Sequence, residues 1–278
     1  MSHITAPKYR GPSDVTIARY HNEGPGRVTA WQILHGLAPG PDGDCDANKT
    51  PEGMCPVLCG FAEAVSWSFD DDAARTASCL PILPALVGSE TTSERAQARA
   101  RHLARHALVD YAPECARATI AICEKHGVPC EALKAAAADL TAEPGEGRLV
   151  ALVEALSAAS KAAQPAINTA WESAHAAFQL EHGAAPGDGE RLRAERDRYF
   201  ALWIDCLKQD AAYQRAQWVY DRISWGWYGC DNAASALHYA ESDEPSTVSL
   251  SAYCAALSAR SAGRLREAVG HLQQAMTL

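Results

Sequence analysis

Two histidines and an aspartate at four-residue intervals, His102, His106 and Asp110, form the first group of side chains that could do chemistry. On a helix this spacing places all three along one side. Two imidazoles one turn apart can hold a divalent metal ion such as zinc, and the carboxylate can be a third ligand or orient an imidazole. The same stripe borders the apolar face of the predicted helix, where histidines often pack a ring and keep one nitrogen in water. The sequence therefore offers a metal site and a packed helix border as alternatives.

A second candidate is the pair Glu172 and His175, which have the Glu-x-x-His spacing on a predicted helix. This is the half-motif from which di-iron carboxylate bundles are built. A complete site of that type needs a second Glu-x-x-His pair on another helix, and the sequence contains none. The alternative is an ordinary pair hydrogen-bonded within one helix.

A third candidate is a structural zinc site made by His35, Cys45, Cys55 and Cys59. An ion there would fix an N-terminal segment that has little apolar core of its own. The spacing matches none of the common zinc-finger or ribbon patterns. Cysteine also serves as a small core residue, which is the alternative for the last two.

Nine of the chain's 20 aromatic residues lie between Tyr199 and Tyr228. Such side chains could line a site for a flat or cationic small molecule, and we expect Trp225 and Trp227 to flank a glycine turn between two helices. Aromatic residues at helical spacing are more often part of a core. The candidate ligand-binding residues are Trp203, Trp218, Trp225, Trp227 and Tyr228.

The elements that must position these groups are helices. Residues 1–53 contain 13 proline or glycine residues, whereas the rest of the chain has helical periodicity with little of the alternation typical of strands. The sequence predicts an all-α, multi-helix globular bundle with an irregular Pro/Gly-rich N-terminal arm. The expected division is an arm over 1–53 and helical parts over 54–183 and 190–278, with the two helical parts forming two domains or one.

Predicted helix starts are Asp70–Asp72, Thr91 with Glu94 as a capping box, and Pro113, and predicted stops are Gly88, Gly127 and Gly183. The predicted helices are approximately Val28–Leu34, Pro56–Ser68, Asp71–Cys79, Thr92–Tyr111, Pro113–His126, Cys130–Leu140, Gly147–Ala163, Pro165–His182, Glu190–Gln209, Ala211–Ile223, Asn232–Ala240, Thr247–Ala262 and Leu265–Met276.

Charge and composition exclude several classes of partner. With 34 acidic and 25 basic residues the net charge is −9, which argues against a nucleic acid or an anionic membrane as the main partner. Ten cysteines in a chain of this length, without a signal-peptide pattern at the N-terminus, indicate reduced thiols and a cytoplasmic location. The sequence also lacks the phosphate-loop, dinucleotide and serine-hydrolase motifs.

Two functions follow as expectations. The first is a binding or assembly protein that holds a protein partner or small molecule with its arm and aromatic segment, so that deletion of residues 1–43 removes binding and leaves the body folded. The second is a metal-dependent or small-molecule enzyme with a His/carboxylate site inside the bundle, and zinc is the candidate cofactor. The sequence does not decide whether the protein is an enzyme, and it does not give the oligomeric state.

Overall fold

The computed structural model of the chain describes residues 16–17, 27–30, 33–34, 50–187, 193–242 and 244–278. Within these ranges the chain is almost entirely helical, which confirms the predicted all-α bundle. The α-helices are α1 (Pro56–Ser68), α2 (Asp72–Cys79), α3 (Ser93–His106), α4 (Ala112–His126), α5 (Glu131–Ala142), α6 (Glu146–His182), α7 (Arg193–Gln209), α8 (Ala211–Ala240), α9 (Pro245–Ser261) and α10 (Leu265–Met276). A 3-10 turn spans Leu83–Leu86, and two short strands, β1 (Thr16–Ile17) and β2 (Arg27–Val28), pair in parallel.

Local sequence explains where several helices begin and end. At the start of α2 the Asp71 carboxylate accepts a hydrogen bond from the backbone N–H of Ala74 at 2.7 Å, as the aspartate run predicts. Helix α3 begins one residue later than expected, because Thr92 and not Thr91 is its cap. Helix α4 ends at Gly127, whose φ of 69° is left-handed and suits glycine.

A π-helical segment, Ala107–Tyr111, joins α3 to α4 without a break. The Ala112 N–H donates to the carbonyl of Ala107, five residues back. Pro113 explains the wider turn, because its ring lacks an N–H and crowds the carbonyl four residues earlier. The break expected between Tyr111 and Pro113 is therefore a change of helix type within one continuous rod.

Helix α6 also runs through a proline that was predicted to separate two helices. Pro165 lies inside this helix of 37 residues. The proline removes one hydrogen bond of the helix. Ala163 and Ile167, on either side of it, are buried at 3% and 7% exposure, so packing keeps the helix continuous across the proline.

Helix α8 continues through Trp225–Gly229, where a turn between two helices was predicted. The glycines there allow close packing. A Cβ atom on Gly226 would overlap the Thr119 hydroxyl of α4, and one on Gly229 would lie 2.5 Å from Cys115 Sγ. Glycine at both positions lets the backbones of α8 and α4 approach each other, which a larger residue would prevent.

The main apolar core surrounds α8, which packs against α9, α6 and α4, while α9 packs in turn on α1. This core takes side chains from both of the predicted helical parts. A second, smaller cluster lies between the C-terminal half of α6 and α7, where Ala174, Phe178, Tyr199 and Trp203 are buried. The molecule thus has one large core and a separate aromatic cluster at the α6–α7 hairpin.

Part of the N-terminal arm belongs to the main core. Ile17, Ala30, Ile33 and Leu34 are at most 3% exposed and pack with the helices. Deletion of residues 1–43 would remove these contacts, so it would destabilise the body, which differs from the expectation of an arm that can be deleted without cost. Of the other arm residues, the structure describes 16, 27–29 and 50–53.

The buried side chain of Arg75 fastens this part of the arm to α1 and α2. Its guanidinium has no exposure and donates to the carbonyl of Ile17 at 3.1 Å and to that of Ser66 at 2.8 Å. It also pairs with Asp72 and donates to the carbonyl of Phe69. A buried guanidinium is tolerated because its donors are satisfied in this way.

None of the helices in the described ranges is long and apolar enough to cross a membrane.

Candidate metal site

Two histidines and an aspartate from two distant parts of the chain meet at the π segment. His106 is the last residue of α3, Asp110 lies in the π segment, and His271 lies on α10. One ligand-type atom from each of the three lies within 4.8 Å of the other two. His106 Nδ1 is 2.6 Å from Asp110 Oδ2, and His271 Nε2 is 4.0 Å from the same oxygen. Two of these residues belong to the predicted stripe, and His271 is new.

Tyr111 orients the new histidine. Its side chain is fully buried, and its hydroxyl lies 2.5 Å from His271 Nδ1. Burial raises the pKa of Tyr111 far above its ordinary value, and the carboxylates of Asp110 and Glu267 raise it further. The phenol therefore keeps its proton and remains a hydrogen-bonding partner of Nδ1, which leaves Nε2 as the nitrogen that faces the aspartate.

Burial also keeps two imidazoles of this region uncharged near neutral pH. Burial lowers the pKa of His271, the neighbouring His106 lowers it further, and Asp110 acts in the opposite direction. The pKa of His102 is lowered by burial and by His106, against a hydrogen bond with Gln274. Neutral imidazole is the form that binds metal ions, so the shift of His271 favours ligation.

The two imidazoles of the group lie face to face. The rings of His106 and His271 are 3.5 Å apart between centroids with an angle of 10° between their planes. The lone pairs of an imidazole lie in the plane of its ring, so two parallel rings cannot both direct one at the same ion. A metal ion would require one ring to rotate out of the stack. In a tetrahedral site with metal–ligand distances of about 2.0–2.1 Å, the donor atoms lie about 3.3 Å apart. This value falls between the 2.6 Å from Asp110 Oδ2 to His106 Nδ1 and the 4.0 Å from the same oxygen to His271 Nε2.

His102, the first residue of the predicted stripe, lies next to this group without belonging to it. Its ring contacts that of His106 edge to face, with 4.7 Å between centroids. Its Nε2 is buried and has no hydrogen-bond partner among the described residues. This places an unused nitrogen beside the three candidate ligands.

Glu172 and His175 lie elsewhere, on the half of α6 that carries the smaller aromatic cluster. His175 stacks on Trp171 at 4.8 Å between centroids and meets Trp203 edge to face at 5.2 Å. Glu172 is exposed. Neither residue is part of a group of three candidate ligands in the described ranges, and their contribution to a metal site stays a prediction.

Only half of the predicted zinc site can be placed. Cys55 and Cys59 are fully buried in the main core, and the Cys59 thiol lies 3.8 Å from the sulfur of Met54. Burial raises the pKa of Cys59 to about 12, with further effects from Cys55 and Glu63, so this thiol stays protonated. His35 and Cys45 lie outside the described residues, and the four-residue site stays a prediction.

The five aromatic candidates make different contacts among the described residues. Trp203 belongs to the small cluster with Phe178, whereas Trp218 contacts the ring of His126 on α4. Trp227 packs against the main core. Trp225 stacks on Tyr228 at 5.8 Å between centroids, with the guanidinium of Arg260 5.0 Å from its ring. Helix α8 distributes four of them around its circumference, and Trp218 and Tyr228 are exposed. Their part in ligand binding stays a prediction.

Comparison of the chain with protein-family models, with curated proteins and with solved structures gave no match, so the site has to be interpreted from its own geometry.

Proposed function

We propose that the protein binds one divalent transition-metal ion, such as zinc, through His106, Asp110 and His271. The observation that carries this proposal is the convergence of three ligand-type side chains from α3, the π segment and α10 within 4.8 Å. Two imidazoles and one carboxylate are a donor set found in catalytic zinc and non-haem iron sites. Three protein ligands leave a coordination position for water or substrate, which is the arrangement of a metal-dependent enzyme. The cytoplasmic location expected from the cysteine content is part of the same proposal.

The surrounding residues support such a site. Tyr111 holds His271 by its Nδ1 and so presents Nε2 as the ligand atom. The π segment places Asp110 beside His106, and π turns inside α-helices occur frequently at functional sites. Asp110 has 42% of its side chain exposed, against 21% for His106 and 16% for His271, so an ion and a small substrate can enter from the carboxylate side.

The direct test is titration of the metal-free protein with Co²⁺ and Zn²⁺, followed by calorimetry and by the visible absorption of Co²⁺. We expect one equivalent to bind, with the intense absorption of a four- or five-coordinate ion. His271→Ala should weaken binding at least roughly a hundredfold, because one of three ligands is lost, and Tyr111→Phe by about tenfold to a hundredfold. His238→Ala is the matched control, because His238 is exposed on α8, away from the group.

The open position has its own test. Added azide should change the Co²⁺ spectrum if a coordination position is free for an exogenous ligand. Equal affinity of the wild type and His271→Ala would contradict the site. Binding without any response to azide would leave a closed, structural site and would contradict the enzymatic part of the proposal.

A second candidate function, the binding of a protein partner, is favoured by the surface of the α6–α7 hairpin. Leu180 is 90% exposed, and Phe200 and Ile204, one turn apart on α7, are 47% and 50% exposed. Exposed apolar side chains that lie together often mark interaction surfaces. Phe200→Ser with Ile204→Ser should abolish co-purification of a partner without lowering the thermal midpoint, and retention of the same partner by this variant would contradict the hypothesis.

A further inference from the structure

A groove with a cavity volume of about 700 Å³ lies between α6, the end of α4 and the first turns of α8. Its size falls in the range of about 300–1,000 Å³ that is typical of small-molecule sites. Small side chains form most of its wall. The alanines that line it are Ala162, Ala163, Ala166, Ala170, Ala212 and Ala216.

The groove exists because the surrounding helices carry little side-chain volume at this point. Pro165 lies on the α6 side and Gly127 ends α4 at the opposite side. Alanine, glycine and proline leave the backbones of α6 and α8 apart without filling the space between them. Val128 and Val219 provide larger apolar contacts in the lining. An alkyl or aryl group placed there would be removed from water on several sides.

Two basic side chains give the groove its polarity. The Nε2 of His126 is buried and has no hydrogen-bond partner among the described residues. Arg215 lines the groove, is exposed, and makes no ion pair or hydrogen bond in the described part of the chain. The other polar side chains in the lining are the hydroxyls of Thr169 and Ser173. A buried imidazole nitrogen without a partner is costly unless a ligand satisfies it.

The charge of this surface is opposite to that of the whole protein. The chain carries a net charge of −9, yet the lining of the groove includes no aspartate or glutamate. A guanidinium in such a place attracts a carboxylate and holds it with charge-assisted hydrogen bonds. A cationic ligand would find no counter-charge in the lining. The groove is therefore complementary to an anion with an apolar body.

We propose that this groove binds an apolar monocarboxylic acid, with the carboxylate on Arg215 and His126 and the hydrocarbon along the alanines of α6 and α8. The ring of Trp218 lies beside the His126 imidazole, with 5.7 Å between ring centroids. The groove shares no lining residue with the group of His106, Asp110 and His271. The proposal of acid binding is therefore independent of the proposal of metal binding.

The test compares three probes of equal length, decanoate, 1-decanol and decylamine, by calorimetric titration of the full chain. We expect decanoate to bind with one-to-one stoichiometry and at least tenfold more tightly than the alcohol, and the amine to bind most weakly. Arg215→Gln should remove the preference for decanoate over the alcohol. Arg198→Gln is the matched control, because Arg198 is an exposed arginine of α7 that does not line the groove.

A second variant tests the apolar part. Ala166→Leu should weaken decanoate and decanol together, by filling the groove, and it should fold normally because Ala166 is exposed. The proposal is overturned if decylamine binds as tightly as decanoate, if Arg215→Gln leaves the affinity for decanoate unchanged, or if Ala166→Leu does so. It is also overturned if sedimentation shows that a second copy of the chain covers the groove and decanoate does not dissociate it.

Discussion

Substitution of Gly229 by alanine tests whether the approach of α8 to its neighbours is as close as described. A Cβ atom at this position would lie 2.5 Å from Cys115 Sγ and 2.6 Å from the Cβ of Ser261. Carbon atoms in contact normally stand about 3.5–4.0 Å apart, so α9 would have to move by about an ångström and the Cys115 thiol would have to shift or change rotamer. The Ser261 Cβ cannot turn away by a change of rotamer, because it is fixed to the backbone.

The expected loss follows from two opposing effects. Overpacking of this kind costs about 1–3 kcal/mol, and the fixed position of the Ser261 Cβ places the cost at the upper end. The higher helix propensity of alanine returns about 1 kcal/mol. The net loss in the free energy of unfolding should therefore be about 2 kcal/mol, which corresponds to a decrease of about 3–4 °C in Tm for a chain of this size.

The matched control is Gly270→Ala on α10. Gly270 is also a helical glycine, but a Cβ atom there would have no heavy atom within 4 Å. This variant should gain about 0.5–1 kcal/mol from helix propensity alone. Urea unfolding followed by circular dichroism measures both. The same chemical change should thus have opposite signs at the two sites, and stabilisation by Gly229→Ala equal to that by Gly270→Ala would refute the close packing.

Two further substitutions test buried polar groups. Burial raises the pKa of Glu63 from 4.5 to about 7, so the contribution of this carboxyl to stability is full below its unfolded pKa and is lost as the pH rises through about 7. At pH 8 the free energy of unfolding of Glu63→Gln should therefore exceed that of the wild type by about 1–2 kcal/mol, and at pH 4 the two should be nearly equal. The same gain at both pH values would contradict this expectation. Arg75→Met leaves the carbonyls of Ile17 and Ser66 without their donor and should lower the free energy of unfolding by about 3–5 kcal/mol in urea titrations, against less than about 0.5 kcal/mol for the exposed Arg198→Gln.

Much of the helical architecture could be predicted from the sequence, because periodicity and capping act over a few residues. The bounds of α1 and α10 are those expected, and the stops at Gly127 and Gly183 are confirmed by their positive φ values. The errors occurred where tertiary packing overrides local preference. Pro165, Gly226 and Gly229 suggest breaks. Helices α6 and α8 nevertheless continue, because both helices are held by neighbours on several sides.

Only part of the candidate metal site could be predicted from the sequence, for a related reason. His106 and Asp110 are four residues apart, so helical spacing alone pairs them. His271 lies 160 residues beyond Tyr111, and no local pattern indicates that α10 packs beside the π segment. The proline at position 113 was the available signal for an irregular turn at Asp110 and Tyr111, since proline widens the turn that precedes it.

The length of α6 means that the protein need not unfold in a single step. With 37 residues this helix runs for about 55 Å, and its last turns leave the main core to join the small cluster of Ala174, Phe178, Tyr199 and Trp203. Few apolar contacts hold that end, so it forms a unit of low local stability. Amide protons of α7 should exchange with solvent when the hairpin alone opens. Those of α8 and α9 should exchange only through global unfolding. A partner that binds the hairpin would therefore slow amide exchange in α7, and the exchange rates of α8 and α9 would not change.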